Sequence, residues 1–376
     1  MSWFYRHVAR PALFTQESEV AHDRTLAALA WAAQSRFLCS LTEAICDVPD
    51  LPVQAMGLKF PNPIGLAAGM DKQGLAVPFW RAMGFGFAEL GGVTRYPQLG
   101  NSKPRMFRIT PEEALINRMG FNNGGAAELA RRLTDWKKRG LWPSHPVGIN
   151  LGKSKTTPLT EAAVDYSASF LALRSFADFF VVNVSSPNTP NLRQLQDRNA
   201  LDEILAAIQA HNCAQSQNPN TSNAVSEECK PLLVKIAPDL SYGALEEVVD
   251  VALRRGLAGI VATNTTVSRP ETSDSVVARI YRESGGLSGR PLHHRSTEVI
   301  RHLYRQAAGR LTIIGVGGVS SAADAWEKVA AGASLVQIYS ALVFQGPLIV
   351  REMVRGLEER LAGASWNEAV GSQARP

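Results

Sequence analysis

The residues best equipped for chemistry stand where apolar runs end. Val181–Gln194 reads VVNVSSPNTPNLRQ: a run of β-formers stops at Asn183, Ser186 and Asn188, among further serines, prolines and asparagines. Asn150 closes VGINLG; Thr263, Asn264 and Thr265 close GIVATNTT; Gly317 and Gly318 close TIIGVGG; Tyr339 and Ser340 close SLVQIYS. Two lysines join them, Lys72 just past GLAAGMD and Lys235 inside LLVKIA. Carboxamides both donate and accept, so they read the amide edges of a small polar ring. Ser186 has no histidine near it in sequence, and serine is a weak base at its free pKa, so it must hand on any proton it takes. A lysine inside an apolar run is costly to bury without a partner. Packing alone does not account for such a set.

The elements that would carry these residues recur. Eight short apolar runs, at 63–69, 86–91, 147–152, 179–184, 232–237, 259–264, 312–317 and 334–339, read as strands buried on both faces of a parallel sheet. Helical patterns lie between them, at Thr160–Ala172, Leu201–Gln209, Leu245–Arg255, Thr297–Ala307, Ala322–Ala331 and Ile349–Leu361. Repeated β/α units predict an α/β fold, a (β/α)8 TIM barrel, whose chemistry sits at the C-terminal ends of the strands. The alternative, a doubly wound sheet, calls for GxGxxG after its first strand, where this chain has AAGMDKQG. GVGGVSS (315–321) and the helix start after the eighth strand fit a phosphate group. Residues 93 to about 130 are too long for one βα connection and predict extra structure at the barrel mouth. Residues 213–229 read as a polar, mobile loop at the opposite face.

Composition narrows the classes. The chain has 376 residues, 45% of them hydrophobic, which describes a globular protein with a large core. A net charge of +5 without a Lys/Arg block argues against nucleic-acid binding. Its four cysteines form no CxxC pair, so neither a metal site nor a disulfide is expected, and a reducing compartment is. No apolar stretch is long enough to span a bilayer, and MSWFYRHVARPALF lacks the features of a signal peptide.

In order along the chain, NPIGLAAGMDKQG (62–74), NRMGFNN (117–123), GINLGKSK (148–155), VVNVSSPNT (181–189), LLVKIAPDL (232–240), TNTTVSRP (263–270), GGLSGRPL (285–292) and IIGVGGVSS (313–321) resemble the class 2 dihydroorotate dehydrogenases, which are membrane-associated and quinone-dependent. The resemblance extends from the N-terminal segment to about residue 360. It implies oxidation of (S)-dihydroorotate to orotate in pyrimidine synthesis, with FMN at the barrel mouth. By similarity Ser186 takes the substrate proton, with Thr189 or water as the relay. Lys72, Asn117, Arg118, Met119, Gly120, Phe121, Asn183, Asn188, Asn264 and Thr265 would bind substrate. Ala68, Gly69, Met70, Asp71, Lys72, Gly92, Asn150, Asn183, Lys235, Thr263, Gly289, Gly318, Tyr339 and Ser340 would meet the flavin, with Lys235 steadying its reduced form. Relatives often carry Ser or Thr where this chain has Gly92, so a hydroxyl contact to the flavin is missing. Class 1 relatives, which pass electrons to fumarate or NAD, place cysteine at Ser186. A flavin-binding scaffold without turnover is a further alternative, opposed by Ser186, Lys72 and the four asparagines.

Residues 1–50 precede the catalytic unit, 51–376. Apolar residues at 26, 29, 30, 33, 37, 38, 41 and 45 follow helical spacing. This face either packs on the barrel or meets a membrane. Trp3, Phe4, Tyr5 and Phe14 with Arg6 and Arg10 form an aromatic and basic mix suited to a lipid interface. Four Arg against six Asp/Glu in residues 1–50 keep attraction to anionic lipid modest. Since the acceptor implied is a bilayer quinone, residues 1 to about 48 are expected to form a lid with an apolar tunnel to the flavin, Arg108 and Tyr339 meeting the quinone head. Deleting the lid is expected to spare flavin reduction by dihydroorotate and abolish quinone turnover. Without a transit signal, the cytoplasmic face of a bacterial inner membrane is favoured over a mitochondrion.

Overall fold

In the computed structural model, which describes residues 2–213 and 229–374, eight parallel strands close into a barrel. They are β1 (Ile64–Leu66), β2 (Phe87–Val93), β3 (Val147–Leu151), β4 (Phe179–Asn183), β5 (Leu232–Ile236), β6 (Gly259–Ala262), β7 (Thr312–Val316) and β8 (Leu335–Ile338). Each falls within, or within two residues of, one of the eight apolar runs, and β8 pairs with β1 to complete the ring. Nearly every strand residue is buried, because helices cover the outside while side chains fill the inside. Small and large residues alternate in that interior. Gly65 of β1 is in register with Phe87 of β2, and Gly148 of β3 with Phe179 of β4. A Cβ at either glycine would lie 2.2 Å from the neighbouring ring, so glycine is what lets the aromatic turn inward.

The helices anticipated from periodicity are Ala162–Leu173, Arg198–Cys213, Tyr242–Arg254, His293–Ala307, Ala322–Ala330 and Ile349–Leu361. The long second connection carries extra structure. Met106–Ile109 and Ala114–Asn117 pair as a hairpin, and Gly286–Gly289 joins as the third antiparallel strand. The polar loop expected over 213–229 lies largely outside the described residues. One cysteine expectation is corrected: Cys39 and Cys46 are free, but Cys229 is disulfide-bonded.

Ahead of the barrel come a helical stretch from Ser2 to Phe14, a helix over Ser18–Ala32 and another over Arg36–Cys46. Glu17 caps the first long helix, accepting from Glu19 N and Val20 N, and Ser35 caps the second. The break at Ala33–Ser35 splits the apolar face in two. Leu26 and Ala33 are buried toward the barrel, whereas Phe37, Leu41 and Ile45 are exposed. The opening aromatics divide likewise. Tyr5 donates to Val343 O (2.7 Å) and Phe14 packs edge-on against Phe344, while Trp3 and Phe4 face outward. No helix among the described residues is long and apolar enough to cross a membrane.

Candidate active site

Two cavities open at the C-terminal ends of the strands. The first is polar. It is lined by Ala68, Gly69 and Lys72 after β1, Gly92 in β2, Asn183, Ser186 and Asn188 at β4, and Lys235 in β5. Thr263, Asn264 and Thr265 follow β6, Gly318 follows β7, and Tyr339 and Ser340 follow β8. The added three-stranded sheet and its flanks contribute Asn117, Met119, Gly120, Phe121 and Gly289. The expected set is therefore brought together, with four exceptions. Met70 turns to the second cavity. Asn150 lies just behind the wall, donating to Glu89 Oε1 (2.6 Å) and accepting from Asn183 Nδ2 (2.9 Å). Asp71 faces inward, its carboxylate accepting from Leu75 N, Ala76 N and Trp80 Nε1 at 2.7–3.0 Å, so it shapes the turn instead of lining the cavity. Arg118 points outward, donating to Glu283 (2.7 Å) and Pro104 O (2.9 Å) with its guanidinium over the Phe107 ring.

The carboxamides are linked. Asn183 Oδ1 accepts from Ser185 Oγ (3.0 Å) and Asn264 Nδ2 (3.3 Å), and Asn188 Nδ2 donates to Asn117 Oδ1 (3.2 Å). Ser186 is 7% exposed, and its Oγ accepts from Asn188 N (3.3 Å). Thr189 is buried nearby in the same turn. Arg193 clamps this turn to the ends of the next two strands, donating to Ser185 O (3.1 Å), to Asp239 after β5 (2.7 Å) and to Thr265 O after β6 (3.0 Å). Burial pushes the Lys72 ammonium down to about 8, against the opposing pull of Glu19, Asp23 and Asp71.

Sequence reasoning missed Glu89, although a carboxylate inside the apolar run FAELGG was a signal. It is fully buried, lies 3.9 Å from Lys235 Nζ, and also accepts from Gln337 Nε2. It missed Gln337, whose buried Oε1 has no partner in a wall of this cavity. Gly92 is explained differently from the expectation of a merely absent hydroxyl. A Cβ there would fall 2.6 Å from the Phe121 ring, so the ring fills that space.

The second cavity is apolar and lies between the N-terminal helices and the barrel. Leu13, Phe14, Ala21, Leu26 and Leu29 face Met70, Trp80, Leu342 and Val343 across it. Its polar members are few. Arg108 donates to Ser18 Oγ (3.0 Å) and Gln16 O, with its guanidinium 4.4 Å from the Phe14 ring centroid. His22 is pushed by burial down to about 4, and Tyr339 by burial up to about 12, so both are neutral near pH 7. Met106, Leu115 and Tyr339 line both cavities and form the partition between them.

A (β/α)8 barrel whose mouth cavity gathers lysines, carboxamides and hydroxyls from the strand ends has the architecture of an α/β-barrel enzyme. A family model described as dihydroorotate dehydrogenase matches residues 50–361. Curated relatives named dihydroorotate dehydrogenase (quinone) include one from Chloroflexus aurantiacus, 50% identical over 94% of this chain and 96% of its own. Another, from Nostoc punctiforme, is 45% identical over 99% and 98%. A crystal structure of DHODH from Eimeria tenella in complex with ferulenol superposes with a TM-score of 0.82 at 36% identity, covering 95% of this chain and 96% of that one. The chain belongs to the dihydroorotate dehydrogenase family, whose members depend on a flavin.

Proposed function

We propose that this protein oxidises (S)-dihydroorotate to orotate at the polar cavity, with FMN as its flavin and a membrane quinone as final electron acceptor. The observation that carries this reading is the shared partition. A polar cavity holding Ser186 and Lys235 and an apolar cavity roofed by the N-terminal helices meet at Tyr339, Met106 and Leu115. A water-soluble acceptor such as fumarate or NAD has no use for that apolar annex, and Ser186 stands where class 1 relatives place cysteine.

The residues present fit a flavin. Lys235 is a buried cation at the cavity floor, Gln337 Oε1 lacks a partner there, and the Gly317–Gly318 turn leaves room for backbone to approach a phosphate. Ala68, Gly69, Thr263, Gly289, Gly318 and Ser340 would hold it, with Asn150 and Asn183 behind. FMN, when bound, supplies the two-electron acceptor chemistry that no side chain here possesses. The two linked asparagine pairs, 117–188 and 183–264, bind the pyrimidine edges, and Lys72 meets anionic or carbonyl oxygen. Ser186 takes the proton at the substrate carbon next to the one that loses hydride, and passes it to Thr189 or water.

The N-terminal unit, residues 1–50, acts as lid and membrane face, and 51–376 as the catalytic barrel. Trp3, Phe4, Trp31, Phe37, Leu41 and Ile45 are exposed on that unit, and such a patch suits peripheral binding to the cytoplasmic face of a bacterial inner membrane. Arg108 and Tyr339 meet the quinone head. The test is dihydroorotate-dependent reduction of a ubiquinone analogue by the purified chain, with fumarate and NAD as alternative acceptors. Turnover with the quinone alone is expected. Turnover with fumarate or NAD instead would identify a class 1 reaction, and none with any acceptor would identify a scaffold.

A further inference from the structure

We propose that Glu19, on the lid helix, is a positioning residue for the dihydroorotate half of the reaction, acting through Arg105 and Asn101 on the turn that carries Ser186. The inference rests on the functional reading above and deepens it. Glu19 and Arg105 are 2% and 6% exposed, and 86 residues separate them in sequence. Glu19 accepts from Arg105 Nε at 3.1 and 3.0 Å and from Nη2 at 2.6 Å, a forked pair that only a guanidinium can make. The remaining nitrogen, Nη1, donates to Leu99 O (2.7 Å) and Asn101 O (2.8 Å). All three guanidinium nitrogens thus tie the lid to the segment 99–101.

Asn101 extends the chain of contacts into the substrate cavity. Its Nδ2 donates to both Arg118 O (3.0 Å) and Asn188 O (3.1 Å), and its backbone N donates to Met119 O (3.0 Å). These bonds staple together the two stretches that carry the asparagine pair 117–188. Asn188 in turn donates from its backbone N to Ser186 Oγ. A buried arginine that loses its carboxylate must move or draw in water, and the carbonyls it holds move with it. Glu19 also opposes the effect of burial on Lys72, so its loss weakens the cationic form of that lysine. The lid is therefore a strut for the serine turn as well as the wall of a tunnel. Deleting residues 1–48 removes Glu19, so on this proposal flavin reduction should fall together with quinone turnover.

The experiment uses the full chain with its flavin and two variants, Glu19→Gln and Asn101→Ala. Asn101→Ala leaves the Glu19–Arg105 pair and the lid attachment in place, and it decides the matter alone if Glu19→Gln does not fold. Anaerobic flavin bleaching by dihydroorotate, orotate binding, FMN stoichiometry and reoxidation by a short-tailed quinone are measured separately. Both variants should keep FMN and slow bleaching on the order of tenfold, the scale on which a small misplacement of reacting groups acts. Reoxidation by the short-tailed quinone should stay within about twofold, since that step makes no use of the serine turn. Bleaching rates and orotate affinity equal to the parent's in both variants would overturn the inference while leaving the function standing. A parent chain whose flavin dihydroorotate does not bleach would overturn the functional reading and this inference with it.

Discussion

Lys235 Nζ stands 3.9 Å from Glu89 Oε1 beneath the polar cavity, both side chains buried. Glu89 also accepts from Asn150 and Gln337, so one carboxylate orients groups from three other strands. Lys235→Ala removes the cation facing the flavin site and leaves Glu89 without its ion-pair partner, a loss that costs about 3–5 kcal/mol for a buried pair. The variant should elute from gel filtration with substoichiometric FMN and a slowed reductive half-reaction. Full FMN content with a normal reduction rate would leave Lys235 a purely structural role.

The lowered pKa of Lys72 sets a pH dependence for ligand binding. Burial brings the ammonium down to about 8, and an anionic ligand favours its protonated form. Below that pH the site is already charged and orotate affinity is flat. Above it a proton must be taken up on binding, so the dissociation constant rises, approaching about tenfold per pH unit. Titrating orotate into the flavin-bound protein from pH 6 to pH 10 measures this. Lys72→Gln should bind weakly and without the inflection; an inflection that persists there belongs to another group.

Ala21 faces the apolar cavity from the lid helix. Ala21→Trp should fill that space and depress reoxidation by a long-tailed quinone by an order of magnitude or more, with little effect on flavin bleaching by dihydroorotate. The Ala21 methyl has no polar atom to join the Glu19–Arg105–Asn101 hydrogen bonds, so the two halves of the reaction should separate here. Unchanged long-tailed quinone turnover would place the acceptor elsewhere.

The barrel was legible because its strands are buried on both faces, and that leaves an unmistakable trace in runs such as FFVVN and LLVKI. The site was legible where polar residues interrupt or end those runs. Side-chain direction was not. Asp71 and Lys72 are neighbours, yet one turns into the core to cap Leu75, Ala76 and Trp80 while the other enters the cavity. Arg118 follows Asn117 directly at the end of its strand and points away from the cavity, since successive side chains of an extended chain turn to opposite sides. Contacts between distant segments left no local pattern either. Glu19 with Arg105, Arg193 with Thr265 and Glu89 with Gln337 meet only once the chain has folded.

The central claim is that Ser186 takes the substrate proton, and single-turnover bleaching of the flavin by dihydroorotate tests it most directly. Ser186→Ala should retain FMN, since the hydroxyl lies in the serine turn beside Asn188 and is assigned to the substrate side of the cavity. With anaerobic mixing, the account predicts that the variant bleaches at least about a hundredfold more slowly than the parent, the usual contribution of a positioned general base. Bleaching at the parent's rate would contradict it and require another base in the cavity.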